Sequence, residues 1–194
     1  MPFDHNDHYH PLLLRNLPPG GRTALDIGCG TGRFARLLAA RGYEVDALDP
    51  SAEVIAEAAA VGGGPRFRQA DVTAVDLPKG HYDVITCLAS LHHMPFDTVT
   101  RLRDALAPGG TLLVLGCYAG TTWWDFAASP ANAMARMTVY ASERLRGEHT
   151  PPLKPPVHQP DMRLPDIRTE AARLLPGSSV RQLLFWRYLL TYRR

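Results

Sequence analysis

The sequence predicts an α/β fold, a doubly wound and largely parallel sheet covered by helices on both faces. Three observations predict it. Strand-like apolar runs alternate with stretches of helical periodicity across residues 23–115, joined by short connections. The run Asp83–Leu88 is almost continuously apolar, as a central parallel strand buried on both faces must be. The first strand, Thr23–Ile27, breaks into a loop with glycine at every second position (Gly28, Gly30 and Gly32), and a helix follows at once.

The elements follow in order. Asp4–Leu17 reads as a short helix with Leu13, Leu14 and Leu17 on one side, stopped by Pro18-Pro19-Gly20-Gly21. After the glycine loop, Arg33–Arg41 carries Phe34, Leu37 and Leu38 at helical spacing, and Gly42 closes it. Strand two, Tyr43–Leu48, ends on Asp49-Pro50, and Ser51 caps an alanine-rich helix running to Val61. Arg66–Ala70 is a short third strand before Asp71, and Asp83–Leu88 is the fourth. A helix over Thr98–Leu106 and the break Pro108-Gly109-Gly110 lead to strand five, Thr111–Leu115. Beyond Gly116 the chain turns aromatic and alanine-rich, with Trp123, Trp124, Phe126, Met134, Met137 and Tyr140, and helices are expected there. Six prolines between 150 and 165 predict a stiff, extended connection. A helix over Pro165–Leu175 and two strands, Ser179–Leu184 and Arg187–Tyr192, complete the chain; the tight turn between those strands makes them an antiparallel pair at the sheet edge.

Composition bounds the function classes. The 194 residues are enough for one domain spanning 1–194, and 45% hydrophobic with 21% charged residues suits a globular protein. No apolar run approaches the roughly 20 residues that cross a bilayer, and MPFDHNDHYH lacks the basic start and apolar stretch of a secretory signal, so a cytoplasmic location is expected. The net charge of +2 and scattered arginines do not call for nucleic acid. Cys29, Cys87 and Cys117 have neither the number nor the spacing of a disulfide framework or zinc site.

The glycine loop points to a nucleotide-like cofactor. A dinucleotide fingerprint needs its third glycine three positions after the second, where Arg33 stands here; the glycine falls at 32 instead. This spacing favours S-adenosylmethionine, and so does Asp26, because that molecule carries an ammonium and a sulfonium and no pyrophosphate. Asp49, with Pro50 after it, closes strand two where a carboxylate accepts both ribose hydroxyls. Asp71 closes strand three, placed for the adenine amino group, with the Val72 N–H near a ring nitrogen. Each acid alone reads equally as a turn or helix cap.

With these residues in place, the chain resembles the class I S-adenosylmethionine-dependent methyltransferases. The matching segments are ALDIGCGTGRFARLLA at 24–39, VDALDPS at 45–51, ADVTAVDLP at 70–78, YDVITCLASLHHM at 82–94 and LRDALAPGGTLLVL at 102–115. It is also similar to small bacterial members that begin with Asn-x-His-Tyr-His, as in Asn6–His10, and end in Trp-Arg-Tyr, as in Trp186–Tyr188. The resemblance implies a single Rossmann-like domain with a seven-stranded sheet of order 3-2-1-4-5-7-6, strand seven antiparallel. Residues 1–20 would form an N-terminal lid helix and 117–165 a substrate cap. It further implies S-adenosyl-L-methionine as cosubstrate and S-adenosyl-L-homocysteine as product, held by Asp26, Gly28, Cys29, Gly30, Asp49, Pro50, Asp71, Val72, Cys87 and His92.

Methyl transfer is an in-line displacement that depends chiefly on alignment and exclusion of water; a phenol, alcohol or indole carbon also benefits from a proton acceptor. His92 and His93, after strand four, and His8, on the first helix, are the catalytic candidates. The alternatives are a structural Leu-His-His turn and a merely amphipathic helix. Tyr9, Tyr118, Trp123 and Trp124 are candidates for the substrate wall, and as a group the aromatics favour a planar or apolar small molecule. No metal is expected, since carboxylates to support His5, His8 and His10 are not evident. An enzyme methylating nucleic-acid amino groups would carry Asp or Asn, Pro-Pro and an aromatic where Cys87-Leu88-Ala89-Ser90 stands. The remaining alternatives are a nicotinamide oxidoreductase and a methyltransferase-like cyclase or binding module. A monomer or homodimer is expected.

Overall fold

The computed structural model describes residues 5–120 and 159–194. In chain order these form α1 (His5–Arg15), β1 (Thr23–Ile27), α2 (Arg33–Ala39), β2 (Glu44–Asp49), α3 (Ala52–Val61), β3 (Arg66–Gln69), β4 (Tyr82–Leu88), α4 (Thr98–Ala105) and β5 (Leu106–Cys117), then α5 (Leu164–Leu174), β6 (Ser179–Gln182) and β7 (Arg187–Arg193). The strands make one seven-stranded sheet of order β3-β2-β1-β4-β5-β7-β6. The first five strands pair with one another in parallel, and β7 runs antiparallel to both β5 and β6. The predicted order and the single reversed strand both hold.

Side chains alternate across each strand, so each strand supplies both layers of the core. Leu25, Ile27, Ile85, Cys87, Leu112 and Val114 face one way, against Val99 and Leu102 of α4 and Ile167 and Ala171 of α5. Ala24, Val84, Leu113 and Leu115 face the other way, with Phe34 and Leu38 of α2 and Tyr9 and Leu13 of α1. α1 is thus packed into one face of the sheet, with Tyr9 bonded to Leu184 in the turn between β6 and β7.

Several boundaries move, each for a visible reason. β5 begins at Leu106 rather than Thr111 because Leu106 pairs with Tyr82 before the register shifts. The Pro-Gly-Gly break is held inside the element by the last residue of the chain: Gly109 N–H donates to the Arg194 carbonyl, and Arg194 N–H to that of Gly110. α1 continues through Pro11, although proline removes one helical donor. A 3₁₀ turn over Leu91–His93, absent from the sequence reading, follows β4. Trp123, Trp124, Phe126, Met134, Met137, Tyr140 and most of the expected cap lie outside the described residues.

Candidate active site

In a doubly wound sheet, ligands bind at the carboxyl ends of the parallel strands. Here that edge is built from the β1–α2 loop, the ends of β2 and β3, and the turn after β4. Gly28 has φ 62° and Gly30 φ 54°, a region that L side chains avoid. A Cβ on Gly28 would come within 2.3 Å of the Ser90 Cβ, so glycine is required there by close approach as well as by φ. Ser90 donates its hydroxyl to the Ile27 carbonyl at 2.8 Å, tying the turn after β4 to the end of β1. A Cβ on Gly30 would meet no atom within 4 Å. The loop therefore offers an open backbone face, and a nucleotide-like ligand fits against it.

The three acids at the strand ends are held in different ways. Asp49 accepts the N–H of Gly30 and the N–H of Ser51, each at 3.0 Å and on separate oxygens. It fixes the loop and the start of α3 together, and each oxygen keeps a lone pair for a hydroxyl donor. Asp71 is exposed; one of its oxygens takes both the N–H and the hydroxyl of Thr73, which hold its carboxyl below the usual range. Val72 beside it is buried.

Asp26 is the buried one of the three. It is only 2% exposed and points beneath the loop, where it accepts the Thr86 hydroxyl at 2.7 Å. Alternation explains this, because Asp26 and Thr86 share the face that carries α2. Burial pushes its carboxyl up to about 7, against the Thr86 hydroxyl and the Ala35 N–H, which favour the charged form; Asp49 adds to the rise. An ionisable group poised near neutrality under a ligand loop is responsive to any cation placed above it.

The cysteines are structural in their surroundings. Cys87 is fully buried with its sulfur 3.0 Å from the Ser90 hydroxyl. Burial also pushes that thiol up to about 12. Cys29 is tied by its N–H to the Leu48 carbonyl at 3.0 Å, and burial raises its thiol. Among the described residues no group of three His, Cys, Asp or Glu is arranged to hold a metal ion, and no helix is long and apolar enough to cross a membrane.

The histidines fall into two places. His92 is half-buried and His93 exposed, and their rings lie 4.1 Å apart on the turn after β4. His8 is exposed on α1, its ring edge-on to Tyr9 and Phe185. Tyr9 donates its hydroxyl to the Leu184 carbonyl at 3.0 Å, which fastens α1 to the β6–β7 turn. Tyr118 accepts from the Gln182 amide at 2.8 Å. Tyr9, Tyr118 and His8 thus meet around one cleft of about 780 Å³ between α1 and that turn. Sequence reasoning missed Ser90, Thr86 and Ala89, the last with φ 51°. A serine two residues after a parallel strand that faces a glycine loop is the signal that was available for Ser90.

Comparison with known proteins decides the family. The model of a methyltransferase domain matches residues 25–114. An uncharacterized methyltransferase of Mycobacterium bovis is 35% identical over 203 residues, covering 100% of this chain and 98% of the relative. The chain belongs to the class I S-adenosylmethionine-dependent methyltransferases. Its cosubstrate is S-adenosylmethionine and its product S-adenosylhomocysteine. A trans-aconitate 2-methyltransferase of Mycobacterium tuberculosis is 37% identical over 117 residues, covering 56% of this chain and 42% of that protein. Among solved structures, an S-adenosylmethionine-dependent methyltransferase from Mesorhizobium loti superposes with a TM-score of 0.67 at 19% identity, over 97% of this chain and all of the other, a likeness of fold.

Proposed function

We propose that this methyltransferase acts on a small aromatic or apolar metabolite, transferring the methyl group to nitrogen, oxygen or carbon. The observation that carries this reading is the cleft between α1 and the β6–β7 turn. Its volume of about 780 Å³ suits a small molecule, and it is lined by Tyr9, Tyr118, Leu12, Leu183 and Leu184 next to the strand ends. The relative named for trans-aconitate supports a small acceptor in general terms.

S-adenosylmethionine supplies an electrophilic methyl group when bound. The protein's part is to hold and enclose. Gly28, Cys29 and Gly30 present backbone, Asp49 and Pro50 take the ribose side, and Asp71 with Val72 takes the adenine side. Asp26 supplies negative charge from below, while Cys87 and Ser90 set the height of the turn that carries His92. α1 acts as the lid over this edge, kept in place by Tyr9. His92, His93 and His8 are the groups able to accept a proton from a phenol, alcohol or indole acceptor near neutral pH; an amine acceptor needs none of them. Trp123 and Trp124 belong to the proposed cap. Nucleic acid and membrane are not proposed as partners.

The test is transfer of a labelled methyl group from S-adenosylmethionine to a panel of phenols, amines and indoles, followed by cell extract. Label in a small molecule, lost in Asp49→Ala, is the expected result. S-adenosylhomocysteine binding with no labelled product in any mixture would overturn the reading and favour a cyclase or binding module.

A further inference from the structure

The glycine loop ends at Arg33, the first residue of α2, directly after Gly32 at φ 77°. The sheet and α2 hold the loop at Gly30, through Asp49, and at Thr31, whose carbonyl accepts the Arg36 guanidinium at 2.7 Å. At its exit a further element joins in: the Arg33 guanidinium pairs with the Asp7 carboxylate of α1. The other Asp7 oxygen lies 3.5 Å from Nε2 of His10, one turn further along α1. His10 is buried, and its ring centroid lies 4.9 Å from that of Phe34, the second residue of α2. Two positions of α1 thus meet the two residues that follow the loop. The same end of α1 is also held by Asn6, which accepts from Arg187 at 3.3 Å, and α1 carries Tyr9 into the cleft beside the β6–β7 turn.

We propose that Asp7 is a positioning residue for S-adenosylmethionine: paired with Arg33, and with His10 laid against Phe34, it latches α1 onto the exit of the glycine loop, so that docking of α1 and binding of the cosubstrate favour one another. The inference rests on the reading of α1 as a lid over this edge and names the contact that closes it. Packing alone does not call for the pair. Leu13 and Tyr9 are buried and fasten α1 to the sheet face, whereas Asp7 and Arg33 keep 27% and 44% of their side-chain surface open to water. An ion pair so exposed adds little to folding, but it joins α1 to the residue that follows the last glycine of the loop. An acid in the first turn of α1 also suits the helix dipole. That benefit does not depend on Arg33, so the two roles come apart when both partners are changed. Coupling is reciprocal: the factor by which the latch raises cosubstrate affinity is the factor by which the cosubstrate favours the docked α1.

The test is calorimetric titration of S-adenosylhomocysteine into the full chain as wild type, Asp7→Asn, Arg33→Gln and the double variant, with thermal unfolding of each ligand-free chain alongside. Both side chains are partly exposed, so neither substitution strands a buried charge. Each single variant is expected to bind about fivefold more weakly, the upper range for a pair of this exposure. The double variant should lose no more than about fivefold, because the pair is lost only once. Asp7→Glu, which keeps the charge, should recover binding to within about twofold of the wild type. Amide exchange in α1 should slow by about fivefold when S-adenosylhomocysteine is added to the wild type, and by less than about twofold in Asp7→Asn. A loss in Arg33→Gln alone would overturn the proposal and make Arg33 a direct contact of the ligand. Losses that multiply in the double variant would overturn it too, as would wild-type affinity in both single variants, whether or not their unfolding temperatures fall. The latch and the methyl-transfer reading fail separately. Affinity lost in Gly28→Ala but kept in Asp7→Asn defeats the latch alone, while the absence of any labelled methyl product defeats methyl transfer and leaves these affinities as they are.

Discussion

The two halves of the strand-end edge are built on opposite plans. On the β3-β2-β1-β4 side the exposed edge is backbone, with glycines at positive φ held by Asp49 and Ser90, and its charge is negative. On the β5-β7-β6 side it is side chain, with Arg15, Arg181, tyrosines and leucines brought together from α1 and the last hairpin, and its charge is positive. The first half is fixed by its backbone, where Gly28 lies too close to Ser90 to admit a Cβ. The second is open to change by replacing a side chain, without touching the loop that holds the cosubstrate. The difference teaches where specificity in this fold resides.

The largest expected effect comes from breaking the backbone half. Gly28→Ala drives a Cβ into Ser90 in a backbone conformation that alanine resists, so affinity for S-adenosylhomocysteine should fall on the order of 100-fold by calorimetry. Affinity near that of the wild type would show that the loop has room the structure does not show. Asp49→Ala removes the acceptor for Gly30 and Ser51 and the proposed ribose partner, and should weaken the same binding by about tenfold. An unchanged dissociation constant would mean that Asp49 serves the fold alone.

How the sequence could be read follows the same division. Asp26, Gly28, Gly30, Asp49 and Asp71 sit at the ends of consecutive elements, so a local pattern of strand, loop and helix places all of them. Orientation within that pattern was harder: strand alternation turns Asp26 under α2 beside Thr86. The other half depends on pairings of extreme separation. Asn6 meets Arg187 across 181 positions and Tyr9 meets Leu184 across 175. No periodicity or spacing records such contacts, and they arise only because β7 inserts antiparallel beside β5. The first helix and the hairpin were each legible, but their meeting was not.

Two smaller effects sharpen the contrast. Asp26, raised to about 7 by burial, must be ionised to favour a cationic ligand. Affinity for S-adenosylhomocysteine should therefore rise with pH, by up to about tenfold between pH 6 and 8. The stability of the ligand-free fold runs the other way. The folded value lies above the usual 3.8, so this group's contribution is full below about pH 4 and lost as pH rises through about 7. A flat affinity profile would remove Asp26 from any electrostatic role. The smallest effect is Ala89→Gly. It relieves a left-handed residue at φ 51° next to Ser90 and should stabilise the fold by about 0.5–1 kcal/mol in thermal unfolding; destabilisation would show that the alanine methyl is needed in packing.

The division of labour is tested most directly by measuring S-adenosylhomocysteine binding to the wild type, Gly28→Ala and Arg187→Gln side by side in one calorimetric series. The expected result is a loss on the order of 100-fold for Gly28→Ala and a change within about twofold for Arg187→Gln, because that arginine lies two strands from β4. Equal losses in both variants, or none in Gly28→Ala, would contradict it.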